Sequence, residues 1–281
     1  MKRVAVLVLA MAACGGADRS ATAGVPQRIV SQTVDGDETL WALGEDVRAR
    51  VVGVSRMADD RRYSTVADVW PASVPRIPGT SEALVAAQPD LVIIAEFSAA
   101  ETRALLQHAG ITTLALEGYD GFEDYRERVR AMAKAVGDPD GGTALVAEFD
   151  AKLHAVSSPA TNDAPGIVSW VDGNVPGKGT TFDEQARAAG FRNLPAEHGF
   201  TGHQRVGLEQ VVAWDPQYIV VHCGEDDCAS AAKAFAASPG IASTRAGRHG
   251  RILAIESSLL LTTSARMTDV VERLRTWREQ R

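Results

Sequence analysis

The residues with chemistry to offer are spread along the chain and do not form a compact catalytic motif. Arg56, Tyr63, Glu96, Phe97, Tyr119, Trp170, Asn174, His203 and His222 each stand where a short apolar run gives way to a polar loop. Together they mix aromatic faces with charged and hydrogen-bonding groups. Such a mixture suits a large organic ligand held by stacking and a few polar contacts. Catalytic signatures are missing. GNVPGKGTT (173–181) looks like a phosphate loop at first, but its spacing is wrong and Lys178 is followed by Gly179 instead of Ser or Thr. Around Ser55 the sequence Gly53-Val54-Ser55-Arg56-Met57 lacks the second glycine of a nucleophile elbow. No HExxH or GxGxxG pattern occurs.

Cys223 and Cys228 enclose the segment HCGEDDC. Their spacing is loose for zinc, and no second pair completes a site. In an oxidising compartment they are expected to form a local disulfide. The N-terminus supplies that compartment. Residues 1–14 read MKRVAVLVLAMAAC, a basic start, a short apolar stretch and small residues before Cys14. This is an export signal. The small residues before Cys14 resemble a bacterial lipobox, which makes Cys14 the expected lipidated N-terminus after cleavage of 1–13. Residues 14–26 are small and polar and read as a flexible tether.

The elements that must position these side chains belong to an ordinary globular chain. It has 281 residues, 45% hydrophobic and 23% charged, with a net charge of −7. That length predicts two domains or lobes. The acidic balance is unsuited to nucleic acid, whose phosphates need a basic surface. No apolar run approaches the ~20 residues of a membrane-spanning helix. Two segments repeat: EALVAAQPDLVII (82–94) and EQVVAWDPQYIVV (209–221) each give a Glu, a short apolar helix, a Pro and an apolar strand. Upstream, Ile29-Val30-Ser31 is echoed by Ile167-Val168-Ser169. One half therefore runs over 27–137 and the other over 163–281. Strands are expected at 51–54, 91–95, 111–116, 166–171, 218–222 and 251–255, with helices between them. Short apolar strands alternating with helices predict parallel sheets covered on both faces. Between the halves, two helical stretches break at Gly137-Asp138-Pro139, and 138–162 is expected to form a single long helix bridging the lobes.

RIVS (28–31), ETLWALG (38–44), RVVGVS (50–55), the block IPGTSEALVAAQPDLVI (77–93), GKGTTFDEQARAAGFRNL (177–194) and VGLEQVVAWDPQYIVV (206–221) together resemble the class III periplasmic substrate-binding proteins of ABC importers. That family takes up siderophores, haem and vitamin B12. The resemblance implies an α/β fold of two Rossmann-like lobes with parallel sheets, joined by a single long α-helix, with the ligand in the cleft between them. It also implies that Glu82 and Glu209, one on each lobe, dock onto arginines of a permease that works with ATPase subunits.

The expected ligand is a metal chelate of siderophore type, with no resident cofactor. Corrinoid and haem are the alternatives on the same fold. The aromatic lining of the vitamin B12 binders is interrupted here by Ile77, Glu96 and His203, whereas Trp170 keeps one aromatic. Haem would need an axial ligand, for which Tyr63, Tyr119, His203 and His222 compete. A bare-metal site would need His from both lobes, and His108 lies inside a predicted helix. An exported chelatase-like enzyme and an orphan sensory binding protein complete the alternatives. The expected location is the periplasmic or cell-surface face of a membrane, held by the lipid at Cys14.

Overall fold

The computed structural model describes residues 24–98, 100–224 and 227–280. The leader over 1–13, Cys14 and the tether up to residue 23 lie outside these residues. In the first lobe β1 (Ile29–Ser31), β2 (Val51–Ser55), β3 (Arg76–Ile77), β4 (Leu91–Ala95) and β5 (Thr112–Leu116) form a parallel sheet. Its order is β3-β2-β1-β4-β5. All of LVIIA in β4 is buried, as expected of a central strand covered on both faces. Successive side chains take opposite faces. Ile29, Leu91 and Ile93 pack with Leu40, Val54 and Met132. Val30, Val92 and Ile94 pack on the other side with Leu84 and Leu106.

The second lobe contains β6 (Gly166–Trp170), β7 (Asn174–Pro176), β8 (Arg192–Asn193), β9 (His203–Arg205), β10 (Tyr218–Cys223) and β11 (Ile252–Glu256). Its parallel sheet has the order β11-β10-β6-β8, and β7 pairs with β9 antiparallel. Apart from β3, the first sheet reads β2-β1-β4-β5 and the second β8-β6-β10-β11, so the repeat seen in the sequence is a repeat of topology. The equivalence extends to single residues. Gln88 and Asp215 end the repeated helices with φ of 48° and 45°, each just before a proline. A following proline disfavours the right-handed helical region at both residues, and both take a positive φ instead.

Two helices separate the sheets along the chain. Phe122–Ala135 is followed by Pro139–Val156, which Asp138 caps by accepting from Gly141 N at 3.0 Å. Proline at the first helical turn loses no hydrogen bond. The second helix stops at Val156, and Ser157 is already extended, so 157–162 does not continue it. Phe149 on this helix meets Tyr125 at 4.5 Å and Phe122 at 5.8 Å, and its cluster also takes Met267 from the C-terminal helix Met267–Glu279. Lys152 pairs with Asp269 on that same C-terminal helix. Elements of both lobes therefore grip the Pro139–Val156 helix. No helix among the described residues is long and apolar enough to cross a membrane.

Candidate ligand-binding site

A cavity of about 550 Å³ lies between the lobes, at the carboxyl ends of β5 and β6. Open α/β sheets bind ligands at this edge, because strand ends and helix starts leave polar groups unpaired there. Tyr119 and Asp120 line it from the first lobe. Ser169, Val171, Asp172, Asn174, Pro176, Thr181, Phe182, His203 and Leu260 to Thr263 line it from the second.

Asp172 and Gly173 form a two-residue hairpin turn. Val171 and Asn174 exchange backbone hydrogen bonds of 2.9 and 2.8 Å across it, and φ is 50° and 86° at the two turn residues. Asp-Gly is favoured in such turns because both positions need positive φ. The turn leaves the Asp172 side chain 80% exposed, with Oδ1 3.2 Å from His222 Nε2. His222 Nδ1 lies 3.1 Å from Ser257 Oγ, which itself donates to Cys223 O at 3.0 Å.

Behind Tyr119 sits Arg128, 2% exposed, with its guanidinium 4.4 Å from the Tyr119 ring centroid. Arg128 Nε donates to Asp35 Oδ2 at 2.8 Å and Nη2 to Thr263 O at 2.7 Å, and Nη1 donates to Gly118 O. One side chain thus ties three parts of the first lobe to the second. Removing either member of such a buried pair typically costs about 3–5 kcal/mol, because a charge is left alone in the interior. Burial raises the Asp35 carboxyl although Arg128 opposes the shift. The neighbouring Glu38 is raised for the same reason, against hydrogen bonds from Ser264 and Thr65. Tyr119 is pushed up to about 12 by burial and then by the charge of Asp35.

Two further bonds join the lobes. Thr181 Oγ1 donates to Tyr119 O at 2.8 Å, and Phe122 N donates to Glu184 Oε2 at 2.6 Å. Both second-lobe residues lie on the helix Thr181–Ala188, whose N-cap Thr180 accepts from Asp183 N.

The structure brings Tyr119, Asn174 and His203 together on the cavity wall. Phe97 is 80% exposed with its ring centroid 6.1 Å from that of Tyr119. Glu96 is exposed, and its carbonyl accepts from Arg103 Nη1 at 2.6 Å. Arg56 and Tyr63 are exposed on the loop after β2 and do not line the cavity, and Arg62 lies over the Tyr63 ring at 5.4 Å. Trp170 turns into the second lobe's core against Phe235, 5.3 Å away. His222 stands beside Asp172 without lining the cavity. Glu82 and Glu209 are exposed in the first turns of the repeated helices and do not line the cavity. Cys223 and Cys228 are joined in a disulfide, with Cα atoms 5.0 Å apart. Among the described residues, no group of three or more His, Cys, Asp or Glu is placed to hold a bare metal ion.

The residue-by-residue reading missed Asp120, Asp172, Leu260 to Thr263, Arg128 and Asp35. Asp120, Asp172 and Leu260 to Thr263 follow β5, β6 and β11, at the strand ends that face the cleft. Asp35 and Arg128 are 93 residues apart, and no local pattern links them.

A family model described as periplasmic binding protein matches residues 29–259. The chain belongs to the periplasmic binding protein family. Members of the family are solute-binding proteins that work outside the cytoplasm. The periplasmic haem-binding protein RhuT from Roseiflexus sp. RS-1, in apo form, is 26% identical over 89% of this chain and 97% of its own, with a TM-score of 0.74. A periplasmic haem-binding protein from Pseudomonas aeruginosa is 25% identical over 89% of this chain and 92% of its own, with a TM-score of 0.71. An ABC-type Fe3+-hydroxamate transport system structure from Saccharomonospora viridis is 22% identical over 90% of this chain and 93% of its own, with a TM-score of 0.71, a likeness of fold. No relative was found among curated proteins.

Proposed function

We propose that this periplasmic binding protein captures an iron chelate of siderophore type and delivers it to the permease of an ABC importer. The observation that carries this reading is the cavity of about 550 Å³ closed by both lobes, with apolar walls and a few converging polar groups. A site of that size and lining suits a compact organic ligand. The exposed Glu82 and Glu209, at equivalent repeat positions, are the residues assigned to permease docking. Cys14 is assigned to the lipid anchor that holds the protein at the outer face of its membrane, and Cys14→Ala is expected to release it into the soluble exported fraction.

Haem is the second reading, favoured by the haem-binding proteins that are 25–26% identical to this chain. The cavity offers Tyr119 and His203 as axial ligands. Corrinoid finds less support, since Trp170 faces the core instead of the cavity.

The test is direct titration of purified protein with a ferric trihydroxamate, haem and cobalamin, followed by tryptophan fluorescence and native mass spectrometry. Saturable one-to-one binding of the ferric trihydroxamate is the expected result. Binding of haem alone or cobalamin alone would replace the siderophore reading with that ligand.

A further inference from the structure

Resting on the iron-chelate reading of the interlobe cavity, a further property follows from the charges on its walls. Asp120 enters from the first lobe and Asp172 from the second. The Asp120 carboxylate makes no hydrogen bond among the described residues; only its backbone N–H is engaged, with Asp124. Asp172 uses Oδ1 toward His222, leaving Oδ2 unpartnered among the described residues. No Lys or Arg lines the cavity among the described residues. Arg128, behind Tyr119, is matched by Asp35. Arg205 lies near Gly173 without lining the cavity.

An independent feature also points to a ligand. Tyr119 lines the cavity, and its phenol oxygen is buried without a hydrogen-bond partner among the described residues. A buried hydroxyl without a partner is costly. It therefore marks a place where a bound molecule supplies the missing bond.

We propose that the cavity selects an iron chelate bearing a positively charged group, and that Asp120 and Asp172 are the residues that make this selection. An ammonium-bearing ligand meets a carboxylate from each lobe, so its charge favours the arrangement in which both lobes contact it. A polyanionic chelate meets two negative charges and no Lys or Arg in the lining. Ligands with several carboxylates or catecholates are disfavoured by the same wall, which sets apart two kinds of chelate that a purely apolar cavity would take equally.

The experiment compares three ferric chelates on the wild-type protein and on the Asp120→Asn/Asp172→Asn variant. The first is a linear ferric trihydroxamate ending in a primary amine. The second is the same chelate with that amine acetylated, and the third is a ferric tris-catecholate. Asparagine keeps the shape and can still accept from His222. Partly exposed charge pairs are each worth little, so the amine form is expected to bind about tenfold tighter than its acetylated twin, with each Asp contributing about threefold. The preference is expected to shrink as salt is raised, because exposed charges are screened. It is expected to fall near parity in the double variant, and the tris-catecholate is expected to bind most weakly to wild type. Equal binding of the amine and acetylated forms overturns the charge assignment and leaves the chelate reading standing. A preference that survives the double substitution overturns the role of the two aspartates. Binding of no ferric siderophore chelate removes the reading beneath the proposal as well.

Discussion

Glu184 of the second lobe closes the N-terminus of a first-lobe helix, its Oε2 accepting the Phe122 amide hydrogen at 2.6 Å. The helix Phe122–Ala135 begins after Gly121, which has no side chain to cap it. The absent side chain is also what admits the partner, since a Cβ on Gly121 would stand 2.4 Å from Glu184 Oε2. The bond therefore does the work of an N-cap from the opposite lobe. Glu184→Ala is expected to cost about 1 kcal/mol, the usual worth of a lost cap. It is also expected to widen the spread of lobe separations measured by small-angle scattering in the absence of ligand. Glu184→Gln keeps an acceptor and should sit between the two. A scattering profile unchanged in Glu184→Ala would show that the cap stabilises its helix without restraining the lobes.

Asp37 gives the fold a stability that depends on pH. Its carboxyl is buried at the start of the helix Val34–Ala42 and accepts from Ser55 N at 3.1 Å and Ser55 Oγ at 2.6 Å. Burial outweighs these bonds and pushes the group up to about 7. The folded protein therefore holds this proton more tightly than the unfolded chain does. Stability is greatest below the unfolded value near 4, falls as pH rises to about 7, and is level above that, a total change on the order of 4 kcal/mol for this group. Asp35 and Glu38 are raised as well and act in the same direction. Urea unfolding midpoints measured from about pH 4 to 8 are expected to decline in the wild type and to decline less in Asp37→Asn.

Glu82 and Glu209 are exposed at equivalent positions and do not line the cavity. On the proposed docking role, each would meet an arginine of the permease through a charge-assisted hydrogen bond, about twice the strength of a neutral one. One exposed pair is worth only about 0–1 kcal/mol, so single substitutions are expected to look mild. Losing both should weaken engagement more than either loss alone, because docking uses the two lobes together. In Glu82→Ala/Glu209→Ala, ligand affinity is expected to hold and uptake by whole cells to fail. Normal uptake would remove these residues from docking, and lost affinity would move them into the ligand site.

The disulfide joins Cys223, the last residue of β10, to Cys228, the first residue of the next helix. In protein recovered from the exported fraction, alkylation without reductant is expected to modify neither cysteine. Cys223→Ser/Cys228→Ser should lower stability by about 2 kcal/mol, the chain-entropy value for so short a loop. Two free thiols in exported protein would show that the pair does not form there.

Much of the architecture was legible because it is local and repeated. The long central strands announce themselves as unbroken apolar runs such as LVIIA, and the copied segments at 82–94 and 209–221 carry the same helix, turn and strand. Strands β1, β3, β7, β8 and β9, of two or three residues, are not among the expected strands, since so few positions hold no alternation to read. Trp170 shows the limit in a single side chain. It ends a strand at the cleft edge, where an aromatic suits a ligand, yet its ring packs on Phe235.

Local signals encode the two-lobed α/β plan and the order of elements in each lobe, because periodicity, helix stops and prolines act over a few residues. Which side chains share one cavity emerges with the packing of the two lobes. That packing also makes Arg128 a link between Asp35 and Thr263, and Glu184 the cap of a helix 62 residues away in the chain. Those contacts depend on how two separately built lobes are set against each other. That setting is the sum of many weak packing and hydrogen-bonding terms between residues far apart in sequence, and no short stretch of the chain encodes it.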